Sequence, residues 1–126
     1  MTTILLVDDD PLQASLMLSV LERKFGDVRR VADAAEALCL IEQPEFANKL
    51  GLVISGHQTP GIGGPAFVSE LRSRMPYLPV LVLGEARETA ADYDREKVAF
   101  MAKPFAPNLM VTLTRQMLAD HKEAVA

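Results

Sequence analysis

Short apolar runs alternate along this chain with longer segments in which apolar residues recur every three or four positions. The first run, Thr3–Val7 (Thr-Ile-Leu-Leu-Val), carries no polar alternation, as expected of a parallel strand covered on both faces. Asp10 and Pro11 follow. A carboxylate that accepts from free backbone amides, then a proline whose missing N–H costs nothing in a first turn, predict a helix start. Leu12, Leu16 and Val20 recur at four-residue spacing, with Met17, Leu21 and Phe25 widening the apolar face, and Gly26 stops the helix. Val28–Val31 reads as a second strand. Asp33 and Glu36 stand at capping-box spacing before a stripe of Ala34, Ala37, Leu38 and Ile41, and Pro44 ends that helix. Leu50–Ser55 is the third strand, and a loop rich in Gly and Pro runs from Gly56 to Pro65. Phe67, Leu71 and Met75 mark the helix beyond it. Val80–Leu83 is the fourth strand, the polar stretch from Glu85 to Lys97 holds a short helix, and Val98–Ala102 is the fifth strand. Leu109, Leu113 and Met117 mark the last helix.

Five strands alternating with five helices predict an α/β fold: a doubly wound parallel sheet with helices on both faces. In such sheets the functional cleft lies beyond the C-terminal ends of the strands, at the topological switch point. The residues just past strands one, three, four and five are Asp8–Asp10, Gly56–Thr59, Gly84–Ala86 and Lys103.

Composition narrows the classes. At 126 residues the chain is the size of one domain, 1–126, and 49% apolar with 24% charged residues is an ordinary globular balance. A net charge of -4 argues against nucleic acid as a partner. Arg29 and Arg30, adjacent in a strand, point to opposite faces and form no basic patch. The single cysteine, Cys39, excludes an internal disulfide and fits a reducing cytoplasm; its place in an apolar helical stripe predicts buried filler. Met17, Met75 and Met117 read as core filler too, and His121 as a charge at a helix end. No apolar run approaches the roughly 20 residues of a membrane span, and no basic-then-apolar leader opens the chain. The expected location is cytoplasmic, without a membrane partner.

Three stretches carry a resemblance. Ile4-Leu5-Leu6-Val7-Asp8-Asp9-Asp10-Pro11 is an apolar strand ending in an acidic pair. Leu52-Val53-Ile54-Ser55 is followed by Thr59-Pro60-Gly61-Ile62-Gly63-Gly64-Pro65, and Phe100-Met101-Ala102-Lys103-Pro104-Phe105 places a lysine after strand five. In this order and on these strands, the chain resembles the CheY-like receiver domain of response regulators. The resemblance implies a flavodoxin-like (βα)5 fold with strand order 2-1-3-4-5 and a role in two-component or phosphorelay signalling. Receivers take a phosphoryl group from a phosphohistidine onto an aspartate at the end of strand three. That transfer needs a carboxylate nucleophile, a divalent cation and a lysine contact.

Carried over by position, Asp8 and Asp9 match the acid pair that holds Mg²⁺, and Lys103 matches the lysine. The nucleophile belongs four residues before Pro60, and that residue is Gly56. The family's phosphate-binding Ser or Thr at the end of strand four is Gly84, and its switching aromatic, three residues before the lysine, is Phe100. The expectation is a degenerate receiver, or pseudo-receiver: not an enzyme, not phosphorylated at the usual site, and acting as a protein-interaction module. Its partner would be a histidine kinase, a phosphotransfer protein or another receiver, with the chain a monomer or weak dimer. The shortened segment from Gly84 to Lys103 and the Gly63-Gly64-Pro65 loop resemble receivers attached to hybrid histidine kinases.

No cofactor is certain from the sequence. Mg²⁺ at Asp8 and Asp9 is expected to bind weakly without a carboxylate at position 56. Glu85 is the one residue placed to resupply that carboxylate from strand four; its alternative is a solvated loop position. His57 and Ser55 are poor substitute acceptors, His57 because chain alternation turns it away and Ser55 because no base serves its hydroxyl. Two other functions stay open: a phosphorelay receiver with a displaced acceptor among Asp8, Asp9 and Asp10, and a small-ligand sensor using the vacated cleft.

Overall fold

Each continuously apolar run is two stripes in one, because successive side chains of a strand point to opposite faces. In the computed structural model, which describes residues 2–56, 62–85, 98–103 and 105–125 (122–125 by backbone alone), the runs form one parallel sheet. Its strands are β1 (Thr3–Val7), β2 (Val28–Val31), β3 (Leu50–Gly56), β4 (Val80–Gly84) and β5 (Ala99–Ala102), in the order β2-β1-β3-β4-β5. The helices are α1 (Pro11–Phe25), α2 (Ala34–Ile41), α3 (Pro44–Lys49), α4 (Gly64–Arg74) and α5 (Pro107–Val125). Leu5, Val7, Val53, Val80 and Val82 pack against α2 and α4 through Ala34, Ala37, Ile41, Phe67 and Leu71. Ile4, Leu6, Leu52, Ile54, Leu81 and Leu83 pack on the other face against Ala14, Met17 and Leu21 of α1 and Met110 of α5. The doubly wound architecture and strand order are those expected.

Local signals explain the helix ends. The Asp10 carboxylate accepts from the Leu12 and Gln13 amides, and Gly26 closes α1 at φ 86°, a left-handed conformation open to glycine. Asp33 accepts from the Glu36 amide, while the Glu36 carboxylate reaches back to the Ala32 amide rather than to that of the cap residue. Gly51 sits at a close approach: a Cβ there would lie 2.1 Å from Thr2 Cγ2 and 3.2 Å from Leu118 Cδ2, so those side chains would have to move aside.

Several expectations need correction. Leu12 and Leu16 lie on the solvent side of α1, 72% and 63% exposed; the buried stripe is Ala14, Met17 and Leu21. Likewise Leu109 is exposed, and Met110, Val111 and Thr114 carry the buried face of α5. Four-residue spacing fixes a stripe's pitch without saying which of two adjacent stripes faces the sheet. Cys39 is exposed rather than buried, because α2 turns Ala34, Ala37 and Ile41 fully inward, with Leu38 and Leu40 packed partly buried beside them. Met17 is buried as expected, with Met75 and Met117 half-buried against the two cores. Pro44 ends one helix and opens another, as proline in a first turn allows. The helix expected between Glu85 and Lys97 falls almost wholly outside the described residues, as does half of the loop from Gly56 to Pro65, residues 57–61.

Thr114 is fully buried on α5, and its hydroxyl has no hydrogen-bond partner among the described residues. Valine has nearly the same shape without the unpaired oxygen. Thr114→Val is therefore expected to raise unfolding stability by about 1 kcal/mol in urea denaturation; a loss of stability would show that the hydroxyl is satisfied.

Candidate functional site

The C-terminal ends of β1, β3, β4 and β5 gather the residues that the sequence singles out. Beyond β1, the Asp8 amide continues the ladder to the Val31 carbonyl at 3.0 Å. The Arg30 guanidinium grips the Asp8 carbonyl with two charge-assisted bonds, 3.0 Å from Nε and 2.8 Å from Nη2. That grip fixes the peptide from which the half-buried Asp8 carboxylate projects. Asp8 Oδ1 accepts from the Asp10 amide at 3.0 Å, and Oδ2 accepts from Gln13 Nε2 at 3.0 Å. Asp9 is exposed, and Asp10 is occupied in capping α1.

On the neighbouring strand, Ser55 pairs in register with Val7, which leaves Gly56 beside Asp8 one step further along. Alternation puts both on the sheet face of Ile4, Leu6, Leu52 and Ile54, the face covered by α1 and α5. Position 56 offers no side-chain atom to the cleft. Gly56 is paired in turn with Leu83 of β4, and the buried Ser55 hydroxyl donates to the Gly56 carbonyl at 3.1 Å. Gly84 pairs with Ala102, and its carbonyl accepts from the Lys103 amide at 2.6 Å. The Lys103 ammonium donates to Gln13 Oε1 at 3.4 Å. Phe100 pairs with Val82 and packs, half-buried, on the α2 and α4 side.

The fold thus brings Asp8, Gly56, Gly84 and Lys103 to one end of the sheet. Glu85 is exposed, and among the described residues no three His, Cys, Asp or Glu side chains gather as a cation's donor set. His57 lies outside the described residues. His121 Nδ1 lies 3.2 Å from the Tyr77 carbonyl, tying the end of α5 to the turn before β4.

Two participants are missing from the sequence reading. Gln13 follows the helix cap by three residues, one turn into α1, with neither charge nor motif to single it out in the sequence. Arg29 and Arg30 point to opposite faces as alternation predicts, and the exposed one is Arg29, while Arg30 turns inward to the Asp8 carbonyl.

The family model described as response regulator receiver domain matches residues 4–115. The transcriptional activator protein ExaE of Pseudomonas putida is 32% identical over 123 residues, covering 94% of this chain and 56% of that protein. Response regulator Rre1 of Synechocystis is 32% identical over 124 residues, covering 93% and 52%. The chain spans about half the length of the curated relatives it matches. Among solved structures, a CheY-like receiver domain protein from Methanospirillum hungatei superposes with a TM-score of 0.88 at 20% identity, covering 98% of both chains. NtrX from Brucella abortus gives a TM-score of 0.85 at 26% identity, with 98% of this chain and 28% of that one covered. None of the helices among the described residues is long and apolar enough to cross a membrane. The chain belongs to the response regulator receiver domain family, the non-enzymatic modules of two-component signalling.

Proposed function

We propose that this chain is a receiver that takes no phosphoryl group at the usual strand-three position and signals by binding another protein. The observation that carries this reading is Gly56 in register beside Asp8, where the resemblance calls for the nucleophilic aspartate. Gly84 supports it, because the strand-four hydroxyl that would hold a phosphoryl oxygen is missing as well. Loss of both the atom that forms the acyl phosphate and the atom that senses it leaves a receiver scaffold with its transfer chemistry removed.

The divalent cation of the family fits this donor set poorly. Mg²⁺ takes a near-octahedral shell of oxygens. Here both Asp8 oxygens already accept hydrogen bonds, Asp9 is exposed, and position 56 contributes nothing. Asp8, Asp9 and Lys103 then serve as structural charges at the rim of a vestigial pocket. The partner is a histidine kinase, a phosphotransfer protein or another receiver, met in the cytoplasm. The Gly63-Gly64-Pro65 loop at the start of α4 supports an origin among receivers of hybrid histidine kinases.

Incubation with acetyl phosphate and Mg²⁺, followed by intact-mass measurement, tests the reading. The expected spectrum is that of the unmodified chain. A hydroxylamine-labile phosphoryl adduct would end this proposal and favour a displaced acceptor among Asp8, Asp9 and Asp10.

A further inference from the structure

Gln13 lies between the two opposite charges of the pocket and satisfies both. Its amide nitrogen donates to Asp8 Oδ2 at 3.0 Å, and its amide oxygen accepts from the Lys103 ammonium at 3.4 Å. The orientation is forced by the neighbours. Turned over, the amide would aim an oxygen at a carboxylate and an NH2 group at an ammonium, and both contacts would repel. The side chain is half-buried, so the exchange of water for these partners is only partly offset by solvent.

We propose that Gln13 is a positioning residue that closes this pocket internally: its amide replaces the cation and the phosphoryl group as the link between the end of β1 and the end of β5. This rests on the reading of the pocket as unphosphorylated. The donor set follows directly. Asp8 Oδ1 accepts from the Asp10 amide and Oδ2 from Gln13, so a cation approaching Oδ2 competes with the Gln13 amide for that oxygen, and loss of the amide contact would also loosen Lys103. Cation binding and the Gln13 bridge therefore oppose each other. The link reaches across the sheet, joining residues 90 positions apart.

Mg²⁺ titration followed by backbone amide NMR compares the wild type with Gln13→Ala, Gln13→Met and Gln13→Glu. Gln13→Met keeps the length and apolar contacts of the side chain while removing both hydrogen bonds, which covers the case in which the alanine variant loses its fold. Gln13→Ala and Gln13→Met are expected to bind Mg²⁺ at least tenfold more tightly than wild type, with shifts centred on Asp9 and Asp10. Gln13→Glu, which sets a second carboxylate against Asp8, is expected to bind more tightly still and to melt higher in Mg²⁺ than without it. In cation-free buffer the Lys103 side-chain resonances should move in Gln13→Ala and Gln13→Met. Equal Mg²⁺ affinity in wild type and Gln13→Met, with Lys103 unmoved, would overturn the bridge. That failure is separate from the failure of the functional reading, which only a phosphoryl adduct on the wild-type chain would produce.

Discussion

Gly56→Asp is expected to turn a chain that stays unmodified in acetyl phosphate into one that carries an acyl phosphate. The backbone permits the change: Gly56 is the last residue of β3, paired with Leu83, and Gly26 is the only described glycine with positive φ. Register and alternation aim the new carboxylate to the side of Asp8. Two carboxylates would then face one cleft, with the exposed Asp9 beside them, enough to draw a divalent cation away from the Gln13 bridge, and Mg²⁺ affinity should rise at least tenfold, about 1.4 kcal/mol. With the cation in place, a carboxylate oxygen attacks phosphorus in line, the P–O bond to acetate breaks, and acetate leaves. Gly84 has no hydroxyl to contact the phosphoryl group, so chemical-shift changes should stay near residues 8–10 and 103 and leave Phe100 unmoved. Intact mass with and without hydroxylamine reads the first effect, and amide NMR reads the second. A folded Gly56→Asp protein that takes no phosphoryl group would show that the pocket has lost more than its nucleophile.

The fold was legible because its signals are redundant. Four largely apolar runs demand cover on both faces, the shorter Val28–Val31 joins them at the sheet edge, and the Asp10–Pro11 and Gly26 punctuation leaves one place for α1. The site's backbone positions were legible for a related reason: they follow from strand ends, which the runs define to within a residue. Helix orientation was less so. The α1 sequence holds two interleaved stripes, Leu12-Leu16-Val20 and Ala14-Met17-Leu21, and the first is the more hydrophobic on paper. Only the path from Asp8 through the cap decides which stripe meets the sheet. Gln13 was illegible because a glutamine carries no charge and no motif. Its role exists only where Asp8 and Lys103, far apart in sequence, are brought within reach of one side chain.

The two stripes of α1 can be told apart by measurement. Leu21→Ala removes a side chain with no exposed surface, packed among the residues of the core shared by β1, β3, β4, α1 and α5. Deleting a leucine from such a site costs about 2–5 kcal/mol, from lost transfer energy and the cavity that remains. A domain of this kind is stable by only about 5–15 kcal/mol, so the variant should lose a large part of its stability. Leu16→Ala, by contrast, removes a side chain that is 63% exposed, and alanine is the better helix former. Its effect should lie within about 0.5 kcal/mol of zero. Urea denaturation of both variants, with m-values compared to confirm a common unfolded state, measures the difference. Equal losses would mean that α1 is rotated on the sheet. Such a rotation would also carry Gln13 away from Asp8 and Lys103, so this one stability comparison bears on the helix register and on the pocket bridge together.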